Sequence, residues 1–595
     1  MKCELFNELN EAQKKAVMHT SGPSLILAGA GSGKTRVLIK KVVNLIKNDK
    51  VPQSSIILIT FTNKAAGEMK ERLYKEEVTI GFVGTFHSFC VRVLRRYGAV
   101  DGIGSNFVIY DRDDQENLIK KVLVDQDIDK RYTGNFFLGR ISSAKDELIS
   151  PEKYAEMFKD FIGRMVGPVY SAYQKRLEKN NAVDFDDLIY KTVMLFDKHP
   201  EILDKYHQQF KYILVDEFQD TNFAQYQLTR QLGKKENNVT IVGDFSQSIY
   251  SWRGAQIRNL EKFKENFENC ETFYLKENYR STQNILDFAY NVINQNHTHP
   301  ILKVFTQKGR GELVEIEKLD NEEYEGLYVA GQIENLVQGG ECKYQDFAVL
   351  YRINAQSRAV EESFLHMGIP YVLIGGTRFY ERKEIKDLLS YMRLVMNPDD
   401  EISSDRAVKI GKRRFEQFEK VYELYKDKLE EADSVDILDA ILLQTKYGDL
   451  YNGETEEDFS RLENIKELRV VATTHNKIGE FLEQVALVES EYSQNEKTLR
   501  QAQGKKGVHL MTLHQAKGLE FPFVFIIGLE EGILPHSRSV DDLYELEEER
   551  RLFYVGITRA MRKLFITYVG RRFAFGRSSY AQVSRFIDES RELEG

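Results

Sequence analysis

One stretch near the amino terminus limits what this chain can fold into. The apolar run SLILA, residues 24–28, leads directly into the glycine-rich loop GAGSG and then into Lys34 and Thr35. A short run of this kind is typical of a buried strand, and the periodic pattern after Lys34 predicts a helix. Glycines permit positive φ and close approach, so the segment predicts a strand–loop–helix unit whose N–H groups can wrap a phosphate.

The loop matches the P-loop pattern from Ala28 to Thr35, except that Ala28 replaces the first glycine. In such a loop Lys34 reaches the β- and γ-phosphates and Thr35 ligates Mg²⁺. We therefore expect a nucleotide site built from Ala28, Gly29, Ala30, Gly31, Ser32, Gly33, Lys34, Thr35 and Arg36.

A second element supplies the acids that nucleotide hydrolysis needs. In YILVDEFQDTN, residues 212–222, Asp216 and Glu217 stand at the end of a hydrophobic run. Asp216 is predicted to hold Mg²⁺ through its water shell, and Glu217 to polarise the attacking water. A lone acid pair after a strand is ordinarily a helix cap. The P-loop upstream and GDFSQ (243–247) downstream favour the catalytic interpretation.

The organisation of the chain follows from its length and from alternating patterns. A chain of 595 residues exceeds what a single core supports. Residues 88–200 and 381–505 read as mostly helical, which predicts two α/β domains, each with a helical insertion. Strand-like runs outside them are SLILA (24–28), SIILIT (55–60), YILVD (212–216), TIVGD (240–244), ELVEIEKL (312–319), FAVLYR (347–352), VHLMTL (508–513) and FVFIIG (523–528).

Composition excludes several classes of protein. No apolar run reaches membrane-span length, and the amino terminus has no signal-peptide core, so we expect a cytoplasmic protein without membrane contact. The four cysteines are scattered, which argues against a zinc ribbon, an iron–sulfur cluster or a disulfide framework. The net charge of −9 does not indicate nucleic-acid binding, but a positive groove is compatible with it.

The only tryptophan, Trp252, stands in the polar segment VGDFSQSIYSWRGAQ, residues 242–256. Buried tryptophans normally occupy long apolar runs, whereas this one has polar neighbours on both sides. This placement argues against a core role for the indole.

Taken in order, these motifs resemble those of superfamily 1 DNA helicases of the UvrD/PcrA/Rep type, over nearly the whole chain. The matching segments are LNEAQKKAV (9–17), the P-loop, ITFTNKAAGEMKER (59–72), GTFHSFC (84–90), DEFQDTN (216–222), VGDFSQSIYSWRGA (242–255), ENYRST (277–282), VHLMTLHQAKGLEFPFVF (508–525) and EEERRLFYVGITRAM (547–561). The resemblance implies two RecA-like P-loop domains, each with a mainly helical insertion. The boundaries we predict are 1–87 with 200–276 and 277–380 with 506–595 for the two domains, and 88–199 and 381–505 for their insertions.

The resemblance also implies roles at the ATP site. Gln13 would read the adenine edge, Tyr279 would stack on adenine, and Gln247 and Arg280 would contact the γ-phosphate. Glu520 would contact the nucleotide, and Arg559 would act as an arginine finger. The predicted catalytic set is Lys34, Asp216, Glu217, Gln247, Arg280 and Arg559, with ATP and Mg²⁺ as cofactors.

The same resemblance implies partners in single-stranded DNA and its junctions with duplex. The predicted DNA contacts are Phe61, Thr62, Asn63, His87, Tyr250, Trp252, Arg253, Thr512 and His514. Core packing is the alternative for Phe61, and capping or packing for His87. The implied activity is ATP-dependent 3′→5′ unwinding in DNA repair, replication or recombination, and the motifs specify no protein partner.

The second insertion departs from the family pattern because residues 381–505 are fewer than expected, and the family's RGIG-like turn is present only as VKIGKRRF (408–415). A second interpretation therefore stays open, in which the protein is a single-strand translocase that displaces bound proteins with little unwinding. A third interpretation is a nucleotide-dependent switch that only binds DNA. The presence of Glu217, Gln247, Arg280 and Arg559 argues against this switch, because these residues should support hydrolysis.

Overall fold

The computed structural model describes residues 6–129, 131–429, 431–451, 455–486, 488, 507–574 and 577–591. It divides into two compact units. The first unit comprises Met1–Tyr279 with Asn296–Gln307, and the second comprises Arg280–Gln295 with Lys308–Gly595. Each contains a six-stranded sheet, which confirms the predicted fold class of two α/β domains with parallel sheets.

The first sheet has the strand order β3-β2-β6-β7-β1-β8, and every neighbouring pair is parallel. Its strands are Ser24–Ala28 (β1), Ile56–Thr60 (β2), Phe82–Thr85 (β3), Tyr212–Val215 (β6), Val239–Gly243 (β7) and Glu271–Leu275 (β8). Carboxyl ends of parallel strands meet at one edge of a sheet. The P-loop after β1, Asp216 after β6 and Asp244 after β7 therefore lie side by side.

Successive side chains of a strand point to opposite faces of the sheet, so the apolar strands need cover on both sides. Helices cover both faces of this sheet. Leu25 and Leu27 join one apolar core, and Ile26 and Ala28 join the other. The helices of the first unit, those of its insertion included, are Glu11–Met18 (α1), Lys34–Lys47 (α2), Asn63–Lys75 (α3), Phe86–Tyr97 (α4), Arg112–Asp125 (α5), Gly134–Asp146 (α6), Pro151–Met157 (α7), Phe161–Lys179 (α8), Phe185–Lys198 (α9), Pro200–Gln209 (α10), Phe223–Gly233 (α11) and Asn259–Asn266 (α12).

The helical insertion of the first unit has an apolar core of its own, which includes Ile119, Phe137, Val166 and Tyr173. Helices α4 and α9 lie at its margins and pack their apolar sides into the core of the sheet. Two short strands, Val108–Tyr110 (β4) and Ala182–Asp184 (β5), pair in parallel beside it.

Residues 277–279 and 296–307 belong to the first unit, whereas the sequence places them in the second domain. The physical reason is strand pairing and packing. Glu277–Asn278 (β9) pairs in parallel with Phe305–Thr306 (β10). Val304 lies so close to Gly29 that a Cβ at that glycine would meet its Cγ1 at 2.3 Å.

The second sheet has the order β11-β16-β15-β12-β14-β13 and is also parallel throughout. Its strands are Glu315–Leu319 (β11), Phe347–Tyr351 (β12), Tyr371–Leu373 (β13), Val508–Thr512 (β14), Phe521–Ile526 (β15) and Ala560–Val569 (β16). An antiparallel pair follows, Arg571–Ala574 (β17) with Arg577–Tyr580 (β18). Each of the eight runs predicted as strands overlaps an observed strand.

The helical insertion of the second unit shares one apolar core with the sheet. Phe347 and Val349 from the sheet belong to the same cluster as Leu388, Ile441 and Leu468 from the helical insertion. The helices are Gln283–Ile293 (α13), Glu322–Gln338 (α14), Ser357–His366 (α15), Lys383–Met396 (α16), Glu401–Ile410 (α17), Lys412–Tyr425 (α18), Ser434–Thr445 (α19), Glu456–Thr474 (α20), Leu543–Ile557 (α21) and Arg585–Arg591 (α22). Of the helices in the described ranges, none is both long enough and apolar enough to span a membrane.

A buried lysine joins α1 to α2, the helix that follows the P-loop. The Lys41 Nζ donates hydrogen bonds to the carbonyl oxygens of Ala16, at 3.1 Å, and His19. These carbonyls belong to the end of α1, where they would otherwise lack partners. Burial lowers the pKa of Lys41 to about 7.

We predict that Lys41 makes the stability of the first unit rise with pH. Its pKa is about 7 in the folded protein and about 10.4 in an unfolded chain. Between these values the unfolded state binds more protons, so stability increases through this window. From about pH 7 to pH 9, wild type should gain roughly 1–2 kcal/mol relative to Lys41→Met. Urea unfolding followed by Trp252 fluorescence measures this difference.

The matched control is Lys75→Met, because Lys75 is exposed and pairs only with Glu71 on the helix surface. It should leave the pH slope unchanged. Identical slopes for wild type and Lys41→Met would contradict the assignment.

Candidate active site

The glycine-rich loop adopts the backbone that phosphate binding requires. Gly31 and Gly33 have φ of 64° and 85°, a region in which other residues are strained. Gly33 directly precedes α2, so the first N–H groups of that helix open toward the loop. This geometry is an anion site.

Three hydrogen bonds to carbonyl oxygens hold the loop in place. The Gln13 Nε2 donates to Ser32 at 2.9 Å, the Asn278 Nδ2 donates to Ala30 at 2.6 Å, and the Tyr279 N–H donates to Gly31 at 3.0 Å. Sequence reasoning missed Asn278, although it lies inside the ENYRST motif. Gln13 is fully buried, and its Oε1 accepts from the Asn10 N–H at 3.1 Å. Gln13 therefore supports the loop, and its contact with adenine stays a prediction.

The Tyr279 ring lies beside the loop and is 37% exposed. Its hydroxyl donates to Glu277 Oε2 at 3.1 Å and accepts from Asn10 Nδ2 at 2.9 Å. The Arg36 guanidinium lies 5.6 Å from the ring centroid, within cation–π range. The ring is therefore fixed in orientation while part of it remains accessible.

The lysine and the acids meet at the strand ends. The Lys34 Nζ lies 3.0 Å from Glu217 Oε2. Burial alone would lower the pKa of Lys34, but the charges of Glu217, Asp244 and Asp216 outweigh burial and raise it. Lys34 is thus a permanently charged group at the loop.

Asp216 is buried at the end of β6, where burial, followed by the charge of Glu217, raises its pKa to about 7. Its Oδ1 atom, like the Ser32 hydroxyl, has no hydrogen-bond partner among the residues that the structure describes. Buried carboxylate and hydroxyl oxygens without partners fit a divalent cation and phosphate oxygens.

Glu217 has an unusual backbone, with φ of 50° and ψ of 43°. A non-glycine residue in this left-handed region costs on the order of 1 kcal/mol, and such strain concentrates at functional sites. The conformation turns the chain sharply after β6. It brings the Glu217 carboxylate to Lys34 while Asp216 stays on the strand end.

Gln219 links the acidic turn to the next strand end, and sequence reasoning missed it. Its Nε2 donates to Glu217 Oε2 at 2.6 Å, and its Oε1 accepts from the Asp244 N–H at 3.1 Å. Its carbonyl accepts from the Ser248 hydroxyl at 3.0 Å. Gln247 donates to Asp244 Oδ2 at 2.6 Å, which joins that predicted residue to the same network. Only its position inside DEFQDTN could have pointed to Gln219.

An aromatic and cationic surface lies further along the same segment. Phe61 stacks on Tyr250, with centroids 6.0 Å apart and planes 9° apart. The Tyr250 and Trp252 centroids are 6.4 Å apart, and the Arg253 guanidinium lies 4.5 Å from the Trp252 ring. Trp252 is 49% exposed. We call Phe61, Tyr250, Trp252 and Arg253 the aromatic platform.

His87 lies at the start of α4, and burial lowers its pKa. Its ring meets Phe185 edge to face at 6.0 Å, and Phe185 is 49% exposed. An exposed phenylalanine beside a predicted DNA contact is a further candidate that sequence reasoning missed. Thr62 caps α3 by accepting from the Ala65 N–H, and Asn63 begins that helix in an exposed position.

The predicted site residues of the second unit also gather. Arg280 Nε donates to Glu520 Oε2 at 2.7 Å, and its Nη1 donates to the Thr558 carbonyl at 3.0 Å. Arg559 is 1% exposed and donates to the carbonyls of Val555 and Leu519.

Thr512 is the last residue of β14, and His514 lies two residues after it. The Thr512 Oγ1 accepts from the Gln515 N–H at 3.4 Å, which closes a turn after the strand. His514 is partly exposed.

The chain resembles known proteins over its full length. Residues 9–268 match the UvrD/REP helicase N-terminal domain, and residues 273–571 match the UvrD-like helicase C-terminal domain. The chain is 42% identical to the ATP-dependent DNA helicase PcrA of Bacillus subtilis, covering 98% of this chain and 86% of that protein. The PcrA proteins of Staphylococcus epidermidis and Staphylococcus aureus are each 41% identical over the same shares. With its P-loop, acid pair and strand-end network in place, this chain belongs to the UvrD/PcrA-type family of superfamily 1 helicases.

Proposed function

We propose that the protein is an ATP-dependent DNA helicase that moves 3′→5′ along single-stranded DNA and unwinds duplex. One observation carries the proposal. Hydrogen bonds run without a break from Lys34 through Glu217 and Gln219 to Asp244 and Ser248. Ser248 lies two residues before Tyr250, so one short segment joins the proposed nucleotide site to the aromatic platform.

The residues at the strand ends divide the work of hydrolysis. Lys34 holds its positive charge on the β- and γ-phosphates, and Glu217 orients the attacking water and accepts its proton. Gln247 senses the γ-phosphate through its bond with Asp244. When bound, Mg²⁺ would neutralise phosphate charge, and Thr35 and Asp216 would hold it.

The second unit is proposed to supply Arg280, Glu520 and Arg559 to the same reaction. Arg559 donates hydrogen bonds to two carbonyls of its own unit. As an arginine finger it must share or break these bonds when it approaches the transferring phosphoryl group. Positive charge that the second unit supplies to the transferring phosphoryl group makes hydrolysis depend on that unit.

The aromatic platform is proposed to hold single-stranded DNA by stacking, which tolerates any base. Arg253 adds a cation beside the indole, and Thr62, Asn63 and His87 contribute polar contacts from neighbouring strand ends. Thr512 and His514 are proposed to do so from the second unit. Phe185 extends the same aromatic character next to His87.

A second candidate is a single-strand translocase that displaces proteins with little unwinding. The observation that favours it is the size of the chain. The alignment to the Bacillus subtilis protein spans 639 positions, more than the 595 residues present here, so that protein carries segments that this chain lacks. A smaller second insertion, residues 381–505, would offer less surface to duplex DNA.

The decisive assay follows strand separation on duplexes with a 3′ tail, a 5′ tail or blunt ends, with ATP and Mg²⁺. The proposal requires unwinding from the 3′ tail only, together with phosphate release that rises on addition of oligo(dT). Displacement of streptavidin from a biotinylated strand without unwinding would favour the translocase. If the rate of phosphate release did not change on addition of oligo(dT), both the helicase and the translocase proposals would be refuted.

Gln219→Ala should lower DNA-stimulated ATPase kcat about tenfold to a hundredfold, because it frees the Glu217 carboxylate from its orienting donor. Binding of a fluorescent ATP analogue should change little, because Gln219 contacts no residue of the phosphate loop in the described structure. Glu217→Gln is the comparison, since it should bind ATP and fail to hydrolyse it. An unchanged kcat in Gln219→Ala would contradict the role of this side chain.

Trp252→Ala should weaken oligo(dT) binding by about 1–3 kcal/mol, the usual worth of one base stack. Fluorescence anisotropy of labelled oligo(dT) measures the loss, and strand separation should fall with it while ATP binding persists. Tyr74→Ala is the matched control, because Tyr74 is an exposed aromatic near the far end of α3. Unwinding at the wild-type rate in Trp252→Ala would overturn the stacking role.

A further inference from the structure

The carboxyl end of helix α6, in the helical insertion, touches the segments on both sides of the strand-end network. The Asp146 Oδ1 accepts a hydrogen bond from Asn222 Nδ2 at 2.5 Å. On its other side, Asp146 Oδ2 approaches Gly254 so closely that a Cβ there would lie 2.6 Å away. One carboxyl group thus contacts two separate stretches of chain.

Those two stretches are the ones that matter for the proposed reaction. Asn222 ends the turn that begins at Glu217, and it caps α11. Gly254 follows Trp252 and Arg253, and its φ of 81° allows the close approach. We call residues 250–256 the Trp252 loop. Asp146 therefore lies between the turn that carries Glu217 and the loop that carries Trp252.

Hydrogen bonds also tie the two stretches to each other at the far end of the loop and just beyond it. The Asn259 Nδ2 donates to the carbonyls of Thr221 and Asn222 at 2.8 and 3.1 Å. The Gln256 N–H donates to the Thr221 carbonyl at 3.0 Å, and the Gln256 side chain donates to Glu147. Near Trp252 itself, a Cβ at Gly254 would lie 2.6 Å from Asp146 Oδ2 and 3.5 Å from Asn222 Cβ, so Asp146 packs where the two stretches meet.

A buried ion pair holds in place the last turn of α6, which carries Asp146. The neighbouring Lys145 is fully buried, and its Nζ lies 2.6 Å from Asp184 Oδ2 and 3.0 Å from Asp187 Oδ1. The Tyr173 hydroxyl donates to the same Asp184 oxygen at 3.1 Å. A buried ion pair with this many hydrogen bonds fixes the last turn of α6, since breaking it would leave buried charge unpaired.

We propose that Asp146 is a positioning residue that holds the Trp252 loop against the Glu217 turn, so that DNA on the aromatic platform accelerates hydrolysis. This inference rests on the proposed function. It adds that the helical insertion takes part in the coupling, through Asp146. Asp146 acts through Asn222 and Gly254 and has no role in binding ATP or DNA itself.

The chemistry of the site points to asparagine as the conservative replacement. Burial, followed by the negative charges of Asp186, Glu147 and Asp184, raises the pKa of Asp146 to about 8. The carboxyl group is therefore largely neutral near pH 7. A neutral amide keeps the acceptor for Asn222 and has nearly the same shape beside Gly254.

The test compares wild type, Asp146→Ala and Asp146→Asn in ATPase assays with and without oligo(dT). Asp146→Ala should hydrolyse ATP at the wild-type rate without DNA. With oligo(dT), its ATPase rate should be about tenfold lower than that of wild type, a typical size for coupling between sites. Affinity for labelled oligo(dT) should change less than about threefold. Asp146→Asn should restore most of the stimulation.

Trp252, the only tryptophan, provides a direct readout of the loop. The change in its fluorescence on oligo(dT) binding should be smaller in Asp146→Ala than in wild type, and restored in Asp146→Asn. The matched control is Asp125→Ala, at the carboxyl end of the neighbouring helix α5, where Asp125 pairs with Arg176. It should behave as wild type in every assay.

The outcomes separate the two proposals. If wild type shows no stimulation by oligo(dT), the proposed function fails. If wild type is stimulated and Asp146→Ala is stimulated equally, the role of Asp146 fails alone. Should Asp146→Ala unfold, Asp146→Glu decides instead, because its longer side chain cannot occupy the same place beside Gly254. Full stimulation in Asp146→Glu, with an unchanged Trp252 signal, would likewise overturn the inference.

Discussion

The ion pair between Lys34 and Glu217 is the interaction around which the first unit is arranged. Three carboxylates, those of Asp216, Glu217 and Asp244, meet at the ends of adjacent parallel strands, and Lys34 is the cation placed among them. Without a nearby positive charge, three carboxylates placed together in this way would repel each other and take up protons. We propose that the same arrangement binds a nucleotide, because a phosphate and its metal ion would complete the charge balance that the protein leaves open.

The position of the Glu217 carboxylate depends on a strained backbone and on hydrogen bonds from the Gln219 side chain. Glu217 adopts a left-handed backbone, which persists only where surrounding contacts determine it. Gln219 provides them by bonding the Glu217 carboxylate, the Asp244 backbone and, through its carbonyl, Ser248. A shift at the phosphate site therefore has a short covalent and hydrogen-bonded route to the aromatic platform. This is the physical basis on which we propose that fuel use and DNA binding are linked.

The two helical insertions relate differently to their sheets. The insertion of the first unit has its own apolar core and meets the site through polar contacts at the end of α6. In the second unit the insertion and sheet share one apolar core, and Arg358 on α15 bonds Glu467 on α20 at 2.6 Å. Helices α4 and α9 also pack their apolar sides into the core of the first sheet, so apolar surface anchors both insertions. The first insertion differs in that polar side chains at the end of α6 reach the segments around the site.

The sequence by itself determined the fold class, the strand-like runs, the P-loop and the acid pair. These features are encoded in local periodicity and in residues that lie close together in the chain. Only the tertiary structure decided which side chains support them. Asn278 reaches the loop from 248 residues away, and Asn222 meets Asp146 across 76. Such contacts depend on which strand ends and helix ends meet in space, and no spacing in the chain encodes a hydrogen bond made across that distance.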